Sequence, residues 1–255
     1  MNEVRAKKFL GQHFLTDENI ARRIVESVSP DTHNILEIGP GMGVLTKYLL
    51  ERANTNFHVV EIDRESVSYL HDHFPTLDVI EGDFLKYDLN SLFQEPFTII
   101  GNFPYYISSQ ILFKVFDNRN SAVEVVGMFQ KEVAERVAAK PGSKTYGILS
   151  VLLSAFYSIE YLFTVHENVF NPPPKVKSAV IRLTRNDVTS LECDEKMFVK
   201  VVKAGFNQRR KTLRNALRQL DLPLDKIDEQ TLSKRAEQLS VNEFITITKT
   251  LQKCL

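Results

Sequence analysis

The sequence predicts an α/β fold, with a parallel sheet covered by helices on both faces and a small all-helical domain at its C-terminal end. Three observations lead there. From Asn34 to Leu183 short apolar runs alternate with helical patterns, as expected for strands buried on both faces. The β signal stops after Arg185, where Asn186-Asp187-Val188-Thr189-Ser190 reads as a polar linker. The 255 residues, 43% hydrophobic and 25% charged, suffice for one large α/β domain with an appendage. The boundary is therefore set at 186/187, giving domains 1–186 and 187–255.

Each element follows from local pattern. Asp17 to Val28 reads as a helix with Thr16 as its cap and Ile20, Ile24, Val25 and Val28 on one face. Asn34 to Ile38 is a strand running into Gly39-Pro40-Gly41-Met42-Gly43, and Val44 to Arg52 is helical. Phe57 to Val60 and Leu77 to Ile80 are strands around a helix at Glu65 to Phe74. Phe97 to Gly101 is a strand, Ser108 to Phe116 a helix and Val123 to Phe129 a strand. Helices follow at Lys131 to Ala139 and Gly147 to Ser158, then strands at Ile159 to Val165 and Ser178 to Leu183. Between these strands, Pro172, Pro173 and Pro174 stiffen a loop because each fixes φ. The second domain holds about four helices, among them Met197 to Phe206, Arg210 to Leu220 and Ser240 to Lys253.

Composition excludes several classes of function. No apolar stretch approaches the ~20 residues of a membrane span, and the basic, polar start from Met1 to Lys8 lacks an apolar signal core. Cys193 and Cys254 lie far apart, so free thiols in a reducing cytoplasm are expected and no metal pair is formed. Net charge is zero, yet from Lys196 to Leu220 eight cations occur with no Asp or Glu among them. With a smaller cluster at Arg5, Lys7 and Lys8, this points to a polyanion gripped at defined places.

The candidate cofactor site lies at the ends of the first three strands. Gly39-Pro40-Gly41-Met42-Gly43 permits a tight turn and close approach of a ligand to the backbone. Glu61 ends the second strand, where an acid binds ribose hydroxyls in nucleotide-binding α/β folds. Asp83, after the third, is placed to accept a bond from an adenine amine. No Gly-Lys-Ser/Thr phosphate cradle is present. A ligand with adenine and ribose but no pyrophosphate fits, and S-adenosylmethionine is the expectation.

The second site follows the fourth strand, at Asn102-Phe103-Pro104-Tyr105. An amide oxygen and a turned backbone carbonyl can accept the two N–H bonds of a base's exocyclic amine, and a ring can stack on the base.

With Gln12-His13-Phe14-Leu15, Gln130-Lys131-Glu132, Phe170-x-Pro172-Pro173-Pro174-Lys175-Val176-x-Ser178-Ala179-Val180 and Phe206 to Asn215, these motifs resemble, in order from about Lys8 to Arg218, the KsgA-type small-subunit rRNA adenine dimethyltransferases. The resemblance implies a Rossmann-like class I S-adenosylmethionine-dependent methyltransferase with a seven-stranded sheet. It also implies transfer of two methyl groups to N6 of each of two adjacent adenosines near the 3′ end of small-subunit rRNA. Gly39 and Gly41 then lie against the methionine part of the cofactor, and Gln12 closes that end with His13 and Leu15 beside it. Glu61 binds the ribose, Ile62 packs on the adenine, and Asp83, with Phe84, holds the adenine amine. Asn102 and the Phe103 carbonyl hold the target amine, and Tyr105 and Phe170 sandwich the target base. Pro104 is part of the same motif.

Phe103 stands where related amino-methyltransferases often carry Pro, which suggests a pocket roomy enough for an amine already methylated once. Arg209, Arg210, Lys211 and Arg214 are the candidate RNA contacts. The expected partner is the small ribosomal subunit, met by a cytoplasmic monomer with a role in subunit biogenesis. The alternatives are a large-subunit rRNA adenine methyltransferase of the resistance type and a non-catalytic assembly factor.

Overall fold

The computed structural model describes residues 4–253, so Cys254 lies outside the described residues. The chain divides into two compact units. The first comprises the residues up to Ala134 together with Glu160–Arg185. The second comprises Glu135–Ile159 and Asn186–Leu255.

The first unit is built on a seven-stranded sheet. Its strands are β2 (Asn34–Ile38), β3 (Asn56–Glu61), β4 (Asp78–Glu81), β5 (Phe97–Asn102), β6 (Ala122–Gln130), β7 (Tyr157–Val165) and β9 (Ser178–Arg185), in the order β4-β3-β2-β5-β6-β9-β7. The pairs from β4 to β6 are parallel, and β6 meets β9 antiparallel. The order reverses between β2 and β5, which opens a crevice at their carboxyl ends.

Helix α1 (Glu18–Glu26) leads into β2, and α2 (Thr46–Leu49), α3 (Arg64–His73) and α4 (Ser108–Asp117) join the parallel strands. Ala21, Ile24 and Val25 of α1 and Leu49 of α2 share one core with Ile35, Ile100, Val126 and Val180 from the sheet. A smaller cluster packs Leu70 of α3 on Val59.

Two local details differ from the sequence reading. Asp17 caps α1, its carboxylate accepting bonds from the Asn19 and Ile20 amides, whereas Thr16 binds Val169 through backbone and hydroxyl. A second, two-stranded sheet pairs β1 (Phe14–Leu15) antiparallel with β8 (Phe170–Asn171). Strands of two residues carry no period for sequence to reveal.

The second unit contains α6 (Ile148–Ser154), α7 (Glu195–Asn207), α8 (Leu213–Leu217), α9 (Glu229–Ser233) and α10 (Val241–Gln252), with the end of α5 (Lys131–Val137). The break near residue 186 falls where the polar linker was expected. Residues 135–159, assigned from sequence to the α/β domain, instead group with the C-terminal helices. The cause is α6, whose Leu149, Ser150, Val151, Leu152 and Leu153 are all buried. A helix buried on every side needs neighbours around it, and α6 packs on α7 and α10. Among the described residues no helix is long and apolar enough to cross a membrane.

Candidate active site

Four adjacent strand ends meet at one cleft of about 180 Å³, lined by Gly39 after β2, Glu61 of β3, Asp83 after β4 and Asn102 of β5. Gly39 and Gly41 both have positive φ, +66° and +58°, which L-residues seldom adopt. A Cβ on Gly39 or Gly82 would meet no atom within 4 Å and would project into open space. A turn that keeps its backbone bare toward the cleft is what a closely held ligand requires.

The acids are held firmly. Glu61 is 4% exposed. It accepts the Ile62 and Asp63 amides at 2.8 Å each and the Gly41 amide at 3.1 Å. Burial raises its pKa, and the three N–H bonds work against that rise. Asp83 accepts the Leu85 amide at 2.9 Å. Ile62 is 48% exposed beside them, an apolar surface suited to one face of a base. This donor set and the bare turn fit an adenosine bearing an amino-acid tail.

The segment ahead of β1 covers one side of the cleft through Leu10, Gly11, Gln12 and His13. Gln12 lines the cleft and is tied to the loop after β3. Its amide donates to Asp63 at 3.1 Å, where Lys7 also forms an ion pair with the same carboxylate. Burial opposes ionisation of Asp63, but these bonds outweigh it and hold its pKa low. Leu15 does not join the main cleft. It is 4% exposed within the core and lines a smaller adjoining cavity with Gly39, Gly41 and Asn102.

At the other side stands the corner formed by Asn102, Phe103, Pro104 and Tyr105. The Asn102 side-chain N–H donates to the His13 carbonyl at 2.9 Å. A carbonyl only accepts, so this bond fixes which end of the amide is which and leaves Oδ1 free as an acceptor. The Phe103 amide donates to the Met128 carbonyl at 3.1 Å, continuing the β5–β6 ladder. The Pro104 carbonyl is occupied by Ile107 N–H and the Ser108 hydroxyl.

The Phe103 ring is elsewhere. It is 1% exposed and packs on Phe129 with centroids 4.9 Å apart. A Cβ on Gly101 or Gly127 would lie 2.7 or 2.3 Å from its carbons. Both glycines therefore make the slot that seats it, and Phe103 serves the site through its backbone.

Tyr105 lines the cleft, and Phe170 does not. Phe170 pairs opposite Leu15, which turns its ring into the core at 4% exposure. The aromatic partner of Tyr105 is His13, stacked at 5.4 Å and 26°.

Three contributors had no role in the sequence reading. Tyr106, 55% exposed, lines the cleft beside Asp83. Ser178 bonds the Tyr105 hydroxyl at 2.6 Å. Lys114 of α4 donates to the carbonyls of Phe84, Leu85 and Tyr87, using all three ammonium protons to hold the loop after Asp83. No local pattern announces such contacts, because their partners are far apart in sequence.

Among the candidate RNA residues, Arg209 is tied to Glu237 and the Lys144 carbonyl, and Arg214 to Glu229. Lys211 lines a shallow hollow with Gln208, Asn215, Arg218 and Gln219, and Arg210 is exposed nearby. Among the described residues no group of three or more His, Cys, Asp or Glu is placed to hold a metal ion.

A bare glycine turn, acids on adjacent strand ends, and an oriented amide and a tyrosine lining the same cleft are the arrangement of an α/β methyltransferase acting on a base amine. The sequence profile of ribosomal RNA adenine dimethylases matches residues 3–253. The ribosomal RNA small subunit methyltransferase A of Cytophaga hutchinsonii is 62% identical, covering 98% of this chain and 99% of its own. A crystal structure of a dimethyladenosine transferase from Plasmodium falciparum superposes with a TM-score of 0.80 at 27% identity, covering 94% of this chain and 98% of that one. The 23S rRNA methyltransferase ErmE does so with a TM-score of 0.73 at 25% identity, covering 94% and 99%. The chain belongs to the ribosomal RNA adenine dimethylase family.

Proposed function

We propose that this protein uses S-adenosylmethionine to dimethylate N6 of two adjacent adenosines near the 3′ end of small-subunit rRNA. It acts in the cytoplasm, as a monomer when free, during small-subunit biogenesis. The observation that carries the chemistry is the Asn102 amide, whose N–H is taken by the His13 carbonyl so that Oδ1 is left as an acceptor, on a residue that lines the same cleft as Glu61 and Asp83. The 62% identity to a small-subunit enzyme, against 25% to a large-subunit one, supports the choice of subunit.

Glu61 and Asp83 would hold the ribose and adenine of the cofactor, with Ile62 against the ring and Gly39 and Gly41 beside the methionine. The cofactor supplies a methyl group on a sulfonium, a good leaving group. The protein has a harder task at the acceptor. The N6 lone pair of adenine is delocalised into the ring, so the amine is a poor nucleophile. Oδ1 of Asn102 and the Phe103 carbonyl accept its N–H bonds and favour a pyramidal nitrogen with its lone pair aimed into the cleft. That interaction strengthens as the nitrogen becomes cationic, so it favours the transition state over the ground state. The base must leave its stack, which costs a few kcal/mol, and stacking on Tyr105 returns about 1–3 kcal/mol of this. The methylated, cationic nitrogen is acidic and gives up one proton to solvent; a single N–H then remains, so one of the two acceptors stays engaged during the second transfer. Lys211, Arg210 and Arg218 grip RNA phosphate.

The test is incubation with labelled S-adenosylmethionine and either unmethylated small or large subunits, followed by mapping. Dimethyladenosine in the small subunit is expected. Label confined to the large subunit would overturn the reading.

A further inference from the structure

We propose that Ser178 is a positioning residue for the target base, its hydroxyl and the His13 ring together fixing the plane of Tyr105 as a stacking platform. The inference rests on the functional reading above.

Tyr105 opens a single helical turn, Tyr105–Ile107, just past β5. A tyrosine on a short turn has two side-chain torsions to settle, and a base stacks on it only when the ring plane is fixed. Two chain segments fix it here. Ser178 is fully buried at the start of β9 and in register with Gln130 of β6, so its Oγ is anchored to the sheet. That oxygen lies 2.6 Å from the Tyr105 hydroxyl. A buried hydroxyl needs a partner, and this one faces the far end of the ring.

His13 covers one face of the ring. It is itself held, with Nδ1 2.7 Å from the Pro172 carbonyl and its own carbonyl accepting Asn102. The two restraints act at right angles: one at the para position, one over a face. Together they fix the ring of a residue that lines the same cleft as Asn102. The half-buried phenol also keeps its proton, because burial raises its pKa, so the bond to Ser178 persists at working pH.

The test compares wild type, Ser178→Ala, Tyr105→Phe and the double variant on unmethylated small subunits at saturating S-adenosylmethionine. Ser178→Ala is expected to lower kcat about tenfold, the scale set by misplacing a reacting group. Cofactor Kd by calorimetry should stay within about twofold, as befits a group that acts only on the acceptor side. Tyr105→Phe should reproduce the loss, and the double variant should be no slower than either single one. Carbon-13 tyrosine NMR should show faster Tyr105 hydroxyl exchange in Ser178→Ala, whatever the substrate. An unchanged kcat, multiplicative losses in the double variant, or parallel weakening of cofactor binding would overturn the proposal. A wild type that methylates no small subunit would instead overturn the functional reading, with the NMR comparison still deciding whether the clamp exists.

Discussion

In the proposed mechanism Asn102 is the residue on which the chemistry turns, and its orientation depends on a bond to a carbonyl 89 positions earlier. Replacing it with Ala removes the oriented acceptor while leaving Glu61, Asp83 and the glycine turn in place. Transfer is expected to fall by at least ~100-fold, the scale seen when one preorganised partner of a developing charge is lost. Cofactor affinity measured by calorimetry should be nearly intact. Phe103 shows how a motif position can mislead. The sequence suggested that its lack of Pro enlarges the amine pocket, but the ring fills a slot over Gly101 and Gly127 instead. A Pro there would also delete the N–H bond to Met128. Phe103→Pro is thus expected to lower the melting temperature as well as transfer, and Phe103→Leu is the cleaner probe of the carbonyl's placement.

At the scale of elements, the parallel strands and their glycine turn were legible because each carries a local signal: an apolar run, then residues able to adopt positive φ. The acids at the strand ends followed from that topology. What was not legible depends on non-local pairing. The β1–β8 pair sends Phe170 and Leu15 inward, and salt bridges from Glu237 and Glu229 engage two of the four arginines and lysines chosen for RNA. Charge reversal at Lys211 and Arg218 should therefore weaken RNA binding more than the same change at Arg209 and Arg214. In a salt titration, the slope of log affinity should flatten by about 0.7–0.9 for each phosphate no longer neutralised. Lys114 offers a second element-scale test. Lys114→Met leaves three loop carbonyls without their shared donor, and each buried unpaired acceptor costs about 1–3 kcal/mol. Weaker cofactor binding by calorimetry is expected, with kcat little changed at saturation.

For the whole molecule, the buried acids set how stability varies with pH. Burial is the main cause that lifts Glu37 to about 8, with Glu61 adding to it and the Thr46 hydroxyl, 2.7 Å away, opposing it. In the unfolded chain the same carboxyl titrates near 4.5. Between these values the folded protein holds a proton that the unfolded chain has released, so stability falls as pH rises from 4.5 to 8, then levels. The slope from this group is at most about 1.4 kcal/mol per pH unit. Glu37→Gln should flatten it, as thermal melts at pH 6 and 8.5 would show. The chain as a whole is neutral, so its grip on RNA rests on a few placed cations and not on a general field. The pairing of residues 14–15 with 170–171 has a last consequence, in the order of synthesis. During synthesis residues 14–15 cannot pair until residues 170–171 have been made. Until Pro172 has been made, His13 lacks the carbonyl that holds its ring. The chain's own readiness to modify RNA is thereby deferred until most of it has been made.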